Sequence, residues 1–304
     1  MAKFSASDAA FSGFRLVREN PRTILVWGLL MTVVATLYTV VSIHFFGPQM
    51  EAFSTYMATT DGEPDPQAMA KAAEGLGPAM LWAVPYSLVL SGVVLSAVNR
   101  LVLRRGDQGF FHLGLGMVEL RQIAVGVLTY ATLMGVLFTG ALLSGFLGAM
   151  GGPAGALLAL FSFVGAVSAM IFLAIRLSFA SAVTFDSGKI TFFRTMALTK
   201  GCFWPLFGAY VLAMVMCVIV VLLLMTIVSA VAMIASGDFS VAGRLMQADT
   251  SSLKAYFSPI GIVQSLFSGV LSVLTNLIIF APAPTVYKEL RDREASAAMA
   301  PSGW

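Results

Sequence analysis

Charge is the scarcest ingredient of this chain. Asp, Glu, Lys and Arg together make up 11% of its 304 residues, against about a quarter in a soluble domain. So few charges cannot cover a soluble surface of this size. With 58% hydrophobic residues and a mean hydropathy of +0.88, lipid must be the solvent for much of the chain. The net charge of +3 is too small to imply nucleic acid. Cysteine and histidine are scarce too, with two of each. Cys202 opens an apolar run and Cys217 sits inside it. Fifteen residues of helix hold them about 22 Å apart, beyond the reach of a disulfide. Both read as small apolar side chains.

Reaction centres are equally thin. G-x-S-x-G and G-x-x-x-x-G-K-[ST] are both missing from the sequence. Ser251 and Lys254 match S-x-x-K, but the S-D-N and K-T-G partners are lacking. Asp61, Glu63 and Asp65 lack the rest of a calcium loop and read as a solvated turn. No metal, cofactor or catalytic residue is expected.

What is present is long apolar runs. Crossing the hydrocarbon takes about 20 residues. Six runs reach that length: Thr23–Phe46, Pro78–Leu103, Gln122–Met150, Gly152–Val183, Trp204–Ala235 and Ser258–Tyr287. The sequence therefore predicts an all-α integral membrane protein with six transmembrane helices. It divides into an amphipathic N-terminal segment (1–22), a six-span membrane domain (23–287) and a C-terminal tail (288–304). The first run follows Asn20-Pro21-Arg22 and exceeds the roughly 7–15 residues of a signal-peptide core, so it reads as a retained span. Met50–Met57 is expected to prolong it as a helix. Gln67–Leu76 is expected to form a short helix opened by Pro66.

Basic residues alternate from one connection to the next. Fifteen of the eighteen Lys and Arg fall in the N-terminal tail, the 100–121 stretch, the 176–200 stretch and the C-terminal tail. The positive-inside rule places those segments, and with them both termini, in the cytoplasm of a bacterial inner membrane. His44 and His112 then fall on opposite sides, which speaks against a histidine metal centre.

Three basic segments share a pattern of aromatic residues, apolar residues at helical spacing and cations: Phe11–Pro21, Phe110–Arg121 and Phe192–Pro205. Each suits an amphipathic helix lying in the headgroup region before the chain enters the bilayer. Three repeats of interfacial helix plus transmembrane hairpin would follow. Arg15, Arg18, Arg194 and Lys200 are the candidate headgroup contacts within these segments.

Polar groups at membrane depth are costly and rank as site candidates. Asn99 and Arg100 close the second span. Two environments are open to Arg176. It can snorkel to the headgroups, or it can point into the bundle and pair with Asp186, Glu119 or a lipid phosphate. Asn276, mid-span in the sixth run, is expected to bond another helix. His44 is expected at the outer interface, and Pro282 and Pro284 are expected to kink the sixth span. No acidic residue lies at the centre of any span, as an ion-coupled transporter would usually require. Small residues at four-residue spacing predict close helix packing: Gly148 with Gly152, Gly151 with Gly155, and Ser265 with Gly269. Gly140, Gly145, Gly165 and Ser168 extend the pattern.

The phrases FSGFRLVRENP (Phe11–Pro21), Arg176–Ala182, FRTMALTKGCFWPLF (Phe193–Phe207) and PTVYKELR (Pro284–Arg291) carry a resemblance over most of the chain. It resembles uncharacterised bacterial six-span proteins, especially alphaproteobacterial ones. Those are similar to the membrane domain found beside some glycerophosphodiester phosphodiesterase domains. The resemblance implies a fold and a location, and no reaction. The apolar runs leave no room for the phosphodiesterase barrel, and its histidine and carboxylate set is missing. The reading is a non-enzymatic inner-membrane module that binds lipid or a partner protein, possible partners being the phospholipid bilayer and another membrane protein. A permease for a small or lipid-like solute, with Arg176 meeting an anionic substrate, is the alternative. A membrane-embedded enzyme acting on lipid ranks third.

Overall fold

A computed structural model of the chain describes residues 4–59, 65–104, 109–238, 250 and 252–299. Among the described residues there are thirteen α-helices. These are α1 (Ala6–Ala10), α2 (Ser12–Glu19), α3 (Pro21–Thr59), α4 (Pro66–Ala73), α5 (Gly77–Leu103), α6 (Met117–Ala149) and α7 (Gly152–Leu177). They continue with α8 (Ala180–Ser187), α9 (Arg194–Leu198), α10 (Phe203–Ser236), α11 (Leu253–Tyr256), α12 (Pro259–Phe280) and α13 (Pro282–Met299). One-turn 3-10 helices occupy Glu74–Leu76 and Gly109–His112.

Among the described residues, six segments are long and apolar enough to cross a membrane: Pro21–Met57, Gln67–Leu103, Met117–Ala149, Gly152–Ser187, Phe203–Ile234 and Pro259–Ser296. A helix satisfies its backbone internally, so it can sit in lipid. The chain is a multi-pass α-helical membrane protein. Large apolar side chains such as Phe138, Phe146, Phe161, Leu222 and Ile234 stand fully out from the protein, as lipid-facing residues should.

The local signals act where expected. The expected extension at Met50–Met57 is helical, because α3 continues through Thr59. At 39 residues it is longer than the roughly 20 needed to cross. Asp65 caps α4 by accepting from the Gln67 N–H at 3.0 Å, and Pro66 opens its first turn. Asp61 and Glu63 lie outside the described residues, as does Ser251 of the S-x-x-K match. Pro282 breaks the sixth span, where α12 ends at Phe280 and α13 begins at Pro282. Cys202 and Cys217 are both buried free thiols. His44 is exposed and meets Phe45 edge-on at 5.0 Å.

Two compact units emerge, each drawing on several helices. The first comprises residues 1–14, 88–213 and 278–304. Its core joins Phe4, Ala9, Ile175, Phe179, Val183, Leu206, Ala209 and Val286, so α1, α7, α8, α10 and α13 meet there. The α6–α7 hairpin turns on Gly151 and Gly152, at φ +72° and +70°, a region that favours glycine. Within the hairpin, Ser144 donates to the Ala159 carbonyl at 2.7 Å. A Cβ at Gly140 or Gly155 would meet the facing helix or turn tightly, whereas one at Gly145 or Gly165 would meet nothing within 4 Å. The small-residue pattern thus works at only part of its length.

The second unit comprises residues 15–87 and 214–277. Here α3 and α12 approach so closely that a Cβ at Gly269 would sit 2.0 Å from Thr32 Oγ1. Tyr256 links the same helices, with its hydroxyl 3.3 Å from Thr36 Oγ1 and 3.1 Å from Ser265 Oγ. Tyr38 stacks on Tyr86 at 4.0 Å and on Trp82 at 6.5 Å, tying α3 to α5. Asn276 bonds its own helix instead of another: its amide donates to the Ser272 carbonyl at 2.8 Å and to Ser272 Oγ at 3.3 Å. Ser272, one turn earlier, supplies both acceptors, its carbonyl the nearer, and it removes the need for a partner helix.

Candidate functional site

The three basic segments adopt three conformations. Ser12–Glu19 forms the amphipathic helix α2, with Ser12 and Leu16 buried and Arg15 and Arg18 exposed. Phe192–Pro205 holds only the five-residue α9 before α10 begins. Phe110–Arg121 is not an amphipathic helix. It is a 3-10 turn whose Phe111 and His112 have φ of +48° and +63°, followed by an irregular stretch before α6. The cause is local: Arg100 Nη1 takes the His112 carbonyl at 3.2 Å, and Gly114 and Gly116 interrupt the helical run.

Arg100 itself is spent inside the protein. It pairs with Glu119 at 2.5 Å, with side chains 13% and 5% exposed. Ser96 Oγ donates to the same Glu119 oxygen at 3.0 Å. Beside this pair, Asn99 donates to Ser181 Oγ at 2.8 Å, and Ser181 donates to Gln122 Oε1 at 2.7 Å. Gln122 returns a bond to the Ser181 carbonyl at 3.1 Å. Ser96, Asn99 and Arg100 share one face of α5, and Glu119 and Gln122 share one face of α6. Together with Ser181 of α8 they form a closed polar cluster. Arg100 therefore does not offer a headgroup contact. Gln122 had no place among the sequence candidates, and Glu119 was named there only as a possible partner of Arg176. Spacing alone held their signal, since Glu119 and Gln122 repeat the three-residue step of Ser96 and Asn99.

Arg176 meets neither Asp186 nor Glu119. It sits in the last turn of α7 and donates to the Met196 carbonyl at 2.6 Å, with its guanidinium 5.8 Å from the Phe172 ring centre. Thr199 Oγ1 in turn donates to the Arg176 carbonyl at 3.2 Å. Both proposed carboxylates are taken, Glu119 by Arg100 and Asp186 by residues of α13. Arg176 fastens α9 to α7.

The remaining pair, Arg194 and Lys200, lines a single cavity of about 540 Å³ in the first unit. Its other walls are Phe179, Val183 and Asp186 at and within α8, Leu198 at the end of α9 with Cys202 just before α10, and Tyr287, Leu290, Arg291 and Glu294 of α13. Tyr287, Leu290, Arg291 and Glu294 follow the i, i+3, i+4, i+7 spacing of one helix face. Asp186 is saturated from that face: the Tyr287 hydroxyl donates to Oδ2 at 2.9 Å, and Arg291 Nη1 donates to Oδ1 at 2.8 Å. Lys288 caps the end of α5 through the Val102 carbonyl at 3.3 Å, which anchors α13 from a second side. Among the described residues, neither Arg194 nor Lys200 forms an ion pair. Phe193, next to Arg194 in sequence, and Trp204, four residues after Lys200, are 78% and 74% exposed. Such aromatics favour the membrane–water boundary. The arrangement can bind an anion against an apolar wall. Arg15 and Arg18 belong to the other unit. No protein-family model, curated protein or solved structure matches the chain.

Proposed function

We propose that this chain is a non-enzymatic module of a bacterial inner membrane, with both termini cytoplasmic, that binds phospholipid at its basic end. The observation that carries the reading is the cavity in which, among the described residues, Arg194 and Lys200 stand without ion-pair partners beside Leu198 and Leu290. Cations over an apolar wall fit a lipid phosphate and the glyceride attached to it. The resemblance to six-span membrane domains found beside glycerophosphodiester phosphodiesterases agrees with a role around phospholipid. Arg176, on which a permease would rely, already has its guanidinium on the Met196 carbonyl.

Native mass spectrometry of the purified full-length chain, with phospholipid titrated from mixed micelles, tests this directly. Wild type should bind a phospholipid at a defined stoichiometry. The Arg194→Gln/Lys200→Gln double variant, which loses two charge-assisted contacts, should bind at least about tenfold more weakly. Equal binding by both proteins would remove the reading.

A further inference from the structure

The charges left over inside the cavity are of both signs. Asp186 is closed off by Tyr287 and Arg291, so that trio presents no net charge to an incoming group. What remains is Arg194 and Lys200 on one side, and on the other Glu294, which also lacks an ion pair among the described residues. Glu294 lies one turn beyond Arg291 on the cavity-lining face of α13. Two cations and one carboxylate call for a ligand that carries an anion and a cation on the same short headgroup.

From this we infer that the cavity takes a phospholipid with a phosphoethanolamine headgroup, its phosphate on Arg194 and Lys200 and its primary ammonium on Glu294. The inference rests on the phospholipid reading above and names the lipid class. The alternatives fit less well for stated reasons. A glycerol headgroup or a bare phosphomonoester brings no cation, and it sets an anion against Glu294. A choline headgroup brings a cation with no N–H, so it forms no hydrogen bond with the carboxylate. An ammonium has three donors and satisfies Glu294 by a charge-assisted bond. The size is adequate, because a cavity of about 540 Å³ falls inside the range of about 300–1,000 Å³ for small-molecule sites. Leu198 and Leu290, both only partly buried, are left to receive the glyceride and the start of the acyl chains.

Competition among phosphatidylethanolamine, phosphatidylcholine and phosphatidylglycerol for the full-length protein, read by native mass spectrometry, tests the assignment. Wild type should prefer phosphatidylethanolamine to phosphatidylcholine by about tenfold, the worth of one charge-assisted bond. Glu294→Gln, a change at an exposed residue, should erase that preference by weakening phosphatidylethanolamine binding more than phosphatidylcholine binding, since choline loses only the attraction of the charge and no hydrogen bond. Equal binding of the two lipids by wild type, or an undiminished preference in Glu294→Gln, would overturn the inference while leaving phospholipid binding intact. Loss of binding only in Arg194→Gln/Lys200→Gln belongs to the broader reading, so the two failures are separable. An excess of water-soluble phosphoethanolamine completes the test. If it fails to displace the lipid, the lipid assignment holds. If it displaces the lipid at equal concentration, the cavity belongs to the free headgroup compound and the lipid assignment falls.

Discussion

Arg100 and Glu119 set the terms at the scale of the residue. An ion pair this buried is a poor source of net stability, because desolvation offsets most of the attraction. Breaking it is another matter, since the surviving charge has no partner. Glu119→Ala should destabilise the protein by about 3–5 kcal/mol, seen as a lowered midpoint of thermal unfolding in detergent. The joint replacement Arg100→Met/Glu119→Leu should recover most of that loss. A single variant as stable as wild type would mean that the pair holds nothing. The sequence pointed to Arg100 and Asn99 as polar groups at the end of a span, yet it gave no view of their partners. Hydropathy reports how much polarity a segment carries and not which side chain it meets. Glu119 lies between two basic residues near a span boundary, where a solvated carboxylate would look the same. The same limit explains Asn276, whose depth was legible and whose acceptor one turn back on its own helix was not.

At the scale of the element, long helices were legible and short ones were not. Twenty apolar residues in a row leave lipid as their only solvent, so α3, α5, α6, α7, α10 and α12 follow from composition. The five residues of α9 are too few to hold a helix by propensity. They exist because α7 supplies partners: Arg176 to the Met196 carbonyl and Thr199 to the Arg176 carbonyl. Phe110–Arg121 carried a similar pattern and takes another shape, because Arg100 claims its His112 carbonyl instead. Identical patterning yields different structure when the anchor differs, which is why the three-fold repeat does not extend to the conformation of these segments. Arg176→Ala should therefore speed amide hydrogen exchange across Phe192–Lys200. Exchange in the α6–α7 hairpin, held by its own contacts around Ser144 and Ala159, should not change. Since α9 carries Arg194 and precedes Lys200, the same variant should weaken phospholipid binding without removing either cation.

At the scale of the whole molecule, the distribution of charge outweighs its amount. The net charge is only +3, but fifteen of eighteen basic residues fall in four alternating segments. Within the first unit, Arg194, Lys200 and Arg291 share a cavity with the tail of the last span. Translocating such loops is disfavoured, and loop Lys and Arg dominate the choice of orientation. On the proposed orientation, with both termini cytoplasmic, the cavity would open to the inner leaflet, where the proposed ligand must be. Reporter fusions after Glu63 and after Asp107 examine this at the lowest resolution that matters. An alkaline phosphatase fusion should be active only at Glu63, and a cytoplasmic fluorescent reporter only at Asp107. Activity of the same reporter at both positions would contradict an odd number of crossings between them. The opposite pattern would keep the six spans and turn the cavity outward, where Arg194 and Lys200 would face a different leaflet and a phospholipid of the cytoplasmic side could not reach them.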